Sequence, residues 1–190
     1  MRPIPAQEIY RTAKVGTVAG LIGGFVILVS FFAIDALIVA PAGTFYMMVG
    51  LAVGLHDIPA IIFGFIAHML TAATIGAVFC VCSTLHRVLN LTSIWKGIFA
   101  GGVTGLEVYA IFFMPITLYI MIPTIDSLTS GVWQSTLTIQ EHIAVSVLET
   151  KLDTIMWGAL VLHVLFGSAM GLFSRIMLHK KYKITKKDIL

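Results

Sequence analysis

Four long apolar stretches separated by polar breaks dominate the chain: residues 15–40, 59–83, 97–122 and 154–178. Each reaches the roughly 20 mostly apolar residues that a membrane-spanning helix needs. The pattern predicts an all-α integral membrane protein with four transmembrane helices, built as a single membrane domain over 1–190. The third stretch carries Pro115. The first is much longer than the roughly 7–15-residue apolar core of a signal peptide, so it reads as a retained anchor.

Two of the connecting segments are also apolar. The run TFYMMVGLAVGL (44–55) is too short to cross a bilayer and is expected to dip into the membrane or lie on it. In 139–152, Ile139, Ile143, Val147 and Leu148 recur while Glu141, Glu149 and Lys151 fall elsewhere. This predicts a short amphipathic helix, either at the outer interface or packed on its own bundle.

The spans repeat one another. Gly16, Gly20 and Gly24 in the first are matched by Gly97, Gly101 and Gly105 in the third, and Phe31-Phe32 by Phe112-Phe113. The second span reads Gly64, His68, Ala72, Gly76 at four-residue spacing. The fourth reads Ala159, His163, Gly167, Gly171. The chain is therefore expected to be two parallel-repeat helical hairpins, 15–83 and 97–178, related by an axis along the membrane normal. Residues four apart share a helical face. Lipid gives helices no hydrophobic reason to associate, so small residues that admit close backbone contact hold them together. A tight bundle follows, not a wide pore.

Composition and charge agree with this picture and orient it. Hydrophobic residues make up 58% of the chain and charged ones 11%, against about 25% charged in a soluble domain. Arg2, Arg11, Lys14, Arg87, Lys96, Arg175 and the tail lysines Lys180, Lys181, Lys183, Lys186 and Lys187 lie on one predicted side. Lys151 alone lies on the other, with Asp57, Asp126, Glu141, Glu149 and Asp153. Basic residues collect on the cytoplasmic side, so the expected topology is N-in/C-in. The basic tail, 179–190, is a stop-transfer anchor and a candidate site for anionic lipid.

Candidate chemistry is sparse. His68 and His163 are each about nine residues into an inward-running span, which puts both near mid-membrane. Glu107 lies near the midplane of the third span, where a charge costs at least about 2.5–3.5 kcal/mol. It should be protonated, paired or facing a polar cavity. It stands about 200° around the helix from the Gly105 stripe, so it faces a different neighbour. The histidines admit three readings: interhelical hydrogen bonds, a proton or solute path with Glu107, or a copper or zinc site at His68 and His163. Asp35 shares a face with Gly24 near the outer end of its span. His56-Asp57 reads as an outer-surface site or a helix cap. Glu141-His142 has no further ligand in register. Cys80 and Cys82 are two residues apart and point to opposite helix faces, which favours packing over metal sharing. Asn90-Leu91-Thr92 is a glycosylation triplet on the predicted cytoplasmic side. No nucleotide-binding loop, H-E-x-x-H or G-x-S-x-G occurs, and nothing suggests nucleic-acid binding or a self-contained enzyme.

The order of His, small residue and Gly in His68 to Gly76 and His163 to Gly171 resembles small four-helix membrane protein families of prokaryotes. The resemblance implies a fold and a place in a prokaryotic cell membrane, and no activity. Compact size and apolar loops suit a non-catalytic accessory subunit of a larger membrane complex, such as a membrane monooxygenase or respiratory complex. Its partners would be other membrane subunits or further copies of itself, with structural lipids and no catalytic cofactor. A small transporter or channel using the midplane His and Glu is the alternative, and a metal-handling protein the third reading.

Overall fold

A computed structural model describes residues 5–38, 40–85, 90–129 and 137–187, with side chains to 179. Arg2, Arg87 and the side chains of the tail beyond 179 lie outside the described residues. The described chain is helical and without strands. Its elements are α1 (Ala6–Leu37), α2 (Thr44–Leu51), α3 (Asp57–Leu85), α4 (Ile94–Val108), α5 (Met114–Ile116), α6 (Ile122–Thr129) and α7 (Ile139–Lys187). Four helical stretches are long and apolar enough to cross a membrane: Ala6–Leu37, Asp57–Leu85, Ile94–Thr129 and Ile139–His179. At 1.5 Å per residue the shortest is about 44 Å long, so every one outreaches a hydrocarbon core of about 30 Å.

The third stretch stays continuous through two wide π turns, Tyr109–Phe113 and Thr117–Met121. Each ends just ahead of a proline. Met114 donates its N–H back to Tyr109, before Pro115, and Ile122 donates back to Thr117, before Pro123. Proline has no N–H, and its ring crowds the carbonyl four residues earlier. A wider turn in front of the ring relieves that crowding.

The chain divides into two compact units. One comprises Met1–Ile27, Met69–Leu106 and His163–Leu190. It is held by backbone-on-backbone contact. A side chain placed on Gly16 or Gly20 would collide with the carbonyl of Gly76 or Ala72 on α3. One placed on Gly101 or Gly105 would collide with the carbonyl of Gly167 or His163 on α7, and Gly97 packs on Gly171. Gly24 is buried, and its neighbour Gly23 packs on Phe166. Buried Cys80 donates its thiol to Ser174 Oγ at 3.2 Å, joining α3 to α7. Arg175 reaches the Thr92 carbonyl at 2.9 Å.

The other unit comprises Leu28–His68 and Glu107–Leu162. At its core lies α2. Met47, Met48 and Leu51 pack with Ala60, Met121, Ile125, Leu137, Ala144, Val145 and Leu148. The α2 part of the apolar 44–55 run is thus buried in protein, with Tyr46, Met47 and Leu51 each 1% exposed, while Val53 is 55% exposed. Gly50 abuts Ala60 and Gly64 abuts Tyr46, each too closely for a side chain. Gly43 takes a left-handed φ of 86° to start α2, a conformation glycine adopts without penalty.

The amphipathic reading of 139–152 needs correction. The buried positions are Glu141, Ala144, Val145 and Leu148, whereas Ile139 and Ile143 are exposed. A non-helical residue, Lys151 (φ −126°, ψ 22°), breaks α7 and sets 139–150 apart from the apolar segment that follows.

Candidate functional site

The most organised polar group in the second unit centres on Glu141, which is fully buried. Burying a carboxylate is expensive unless donors surround it. Here Thr138 caps the start of α7, and Thr138-x-x-Glu141 closes a reciprocal box. Glu141 Oε2 accepts the Thr138 N–H at 2.7 Å, and Thr138 Oγ1 accepts the Glu141 N–H at 3.4 Å. Glu141 Oε1 accepts the Asp57 N–H at 3.0 Å and lies 3.1 Å from His56 Nδ1. One carboxylate therefore caps two helices, α7 and α3, where the positive ends of both helix dipoles favour a negative charge. Asp57 holds a left-handed φ of 53°, which aims its N–H at Glu141. Of the two readings of His56-Asp57, the helix start describes Asp57; its cap, however, comes from Glu141. Sequence spacing hid this, because the partner lies 84 residues away.

Asp35 plays a similar part for α2. It is 5% exposed, and its Oδ2 accepts the N–H groups of Gly43 at 2.8 Å and Thr44 at 3.3 Å. Both are among the unpaired donors at a helix start. Next to it, the Tyr46 hydroxyl is buried without a hydrogen-bond partner among the described residues. Burial, with the Asp35 charge adding to it, pushes this phenol above its ordinary range, so it stays protonated.

The midplane candidates are placed differently from one another. His68 is half-buried, with its ring 5.7 Å from Tyr46 and 6.3 Å from Phe31. His163 is also half-buried, and its backbone carbonyl lies against Gly105. Glu107 is exposed, as are Ala110 and Ile111 of the same unit. Among the described residues it makes no hydrogen bond or ion pair, so it is joined to neither histidine. Cys82 is half-buried. Among the described residues no three His, Cys, Asp or Glu side chains come together as a metal site; His56 and Glu141 are a pair.

Asp35, Thr44, Lys151 and Thr154 line a cavity of about 230 Å³ in the second unit, with apolar residues around the rest of it. Lys151 was legible in the sequence only as the one basic residue on its side. Comparison with family models, curated proteins and solved structures found no match.

Proposed function

We propose that this chain is a non-catalytic structural subunit of a multi-subunit complex in a prokaryotic cell membrane. The observation behind this reading is the exposure of Glu107 partway along a spanning helix. Carboxylates at that depth are rare and face protein or water, since lipid contact costs at least about 2.5–3.5 kcal/mol. Among the described residues Glu107 is uncovered, so a neighbouring subunit supplies its cation or hydrogen-bond donor. Exposed Ala110 and Ile111 of the same unit belong to the assembly face.

Within that reading, the chain is two like-oriented hairpins with both termini in the cytoplasm. Matching glycine contacts support the repeat: Gly16 and Gly20 on Gly76 and Ala72 in one hairpin, Gly97 and Gly101 on Gly171 and Gly167 in the other. The eleven-to-one division of basic residues supports the orientation. The test is native mass spectrometry after gentle detergent extraction. Stoichiometric co-purification with unlike membrane subunits is the expected result; a lone monomer overturns the reading.

A further inference from the structure

The cavity in the second unit is walled by α1, α2 and α7 and partly open. At about 230 Å³ it exceeds the roughly 150 Å³ apolar cavity that accepts benzene. Its lining is graded along both long helices. On the α1 side it runs from Ile38 and Asp35 to Phe31, and on α7 from Val147, Lys151 and Thr154 to Gly158 and Leu162, so its charged and polar residues cluster toward one end. An elongated slot with one polar and one apolar end fits an amphiphile. Both α1 and α7 are long and apolar enough to cross a membrane, so the apolar end lies on segments suited to hydrocarbon rather than water.

The charges at the polar end are unequal. Asp35 is already satisfied by the N-terminus of α2 through Gly43 and Thr44. Lys151 is exposed, stands at the break in α7, and has no anionic partner among the described residues. The free charge at the mouth is therefore a cation. At the other end, a side chain built on Gly158 would meet nothing within 4 Å. This glycine is unlike Gly16, Gly20, Gly101 and Gly105 of the first unit, which are tight against backbone. The space beside it belongs to the cavity.

We propose that this cavity binds one acyl chain of an anionic phospholipid, with Lys151 holding the phosphate and the tail lying along Gly158 toward Leu162. The proposal concerns the outer-side Lys151, separate from the basic tail, and does not depend on the assembly role of Glu107.

The test uses the full chain in mild detergent, mixed with equal amounts of dioleoyl phosphatidylglycerol and dioleoyl phosphatidylcholine, with bound lipids counted by native mass spectrometry. Wild type is expected to retain one phosphatidylglycerol ahead of phosphatidylcholine. Lys151→Gln should cut that preference about fivefold, the value of one lysine near an anionic surface. Gly158→Leu, which fills the slot, should abolish the retained lipid, and Gly158→Ala should not. The tail lysines are the same in every variant. Equal retention of both lipids, or unchanged retention in Gly158→Leu, overturns the proposal. So does oleate binding in preference to phosphatidylglycerol, which would make the ligand a free fatty acid. If Gly158→Leu fails to fold, Lys151→Gln at its exposed position decides: an unchanged preference overturns the assignment.

Discussion

Glu141 Oε1 and His56 Nδ1 stand 3.1 Å apart across 85 residues of chain, and the same oxygen accepts the Asp57 N–H. This contact fastens the start of α7 to the start of α3 on the side where the sequence places its acidic loops. His56 is 45% exposed in its side chain, while Glu141 is wholly enclosed. The two partners therefore differ in what their removal costs.

Glu141→Ala leaves the N–H groups of Asp57 and Thr138 without acceptors. Each such buried group costs about 1–3 kcal/mol. Thermal or denaturant unfolding in detergent should show a large loss for Glu141→Ala and a small one for His56→Ala. Equal losses would mean that the imidazole, not the pair of capped helices, is the main purpose of the buried acid.

Glycines at backbone contacts and glycines at open space should respond in opposite directions. Gly101→Leu drives a side chain into the Gly167 carbonyl, and overpacking costs about 1–3 kcal/mol or more where backbone cannot yield. Gly158→Ala meets nothing and gains helix propensity of up to about 1 kcal/mol. Melting temperatures of the two variants should move to opposite sides of wild type.

Glu107→Leu removes an exposed carboxylate from a spanning segment without touching a packed contact. The isolated chain should keep its melting temperature, while co-purifying subunits are lost from the native mass spectrum. Retention of the complex would show that the carboxylate is not what the neighbour recognises.

The N-in/C-in topology predicts opposite access to a membrane-impermeant maleimide. With Cys82 replaced by alanine, and Cys80 buried, a cysteine at exposed Glu149 should label on intact cells. A cysteine at exposed Ser93 should label only after permeabilisation. Labelling of both on intact cells would refute the orientation.

The four spanning helices were legible because lipid imposes length and apolarity on any helix that crosses it. Gly16, Gly20, Gly97, Gly101 and Gly105 lie against backbone of a neighbouring helix, an approach that only small residues admit. The inward face of 139–150 was not. In water an apolar residue points inward, but beside a membrane Ile139 and Ile143 can face out at no cost while Glu141 turns in to cap. Apolar periodicity loses its meaning in that setting, and the Thr138-x-x-Glu141 spacing was the better guide. The burial of 44–51 was not legible for a related reason. Apolar residues answer equally to lipid and to a protein core, and only the positions of Asp35, Ala60 and Val145 decide for the core.

The two wide turns of the third stretch have a consequence for how this segment can change over time. Each holds one residue beyond the α-helical count, and one residue corresponds to about 100° of rotation. The facing of Ile125 toward the core therefore depends on both wide turns absorbing their surplus residue. Deleting one residue near Tyr109 or Thr117 would restore ordinary winding and leave Ile125 in register, because the surplus and its wide turn vanish together. Between Val108 and Ile122 the segment thus tolerates the loss of a residue at either wide turn, and homologues should differ there by single-residue deletions that keep the face of Ile125 unchanged.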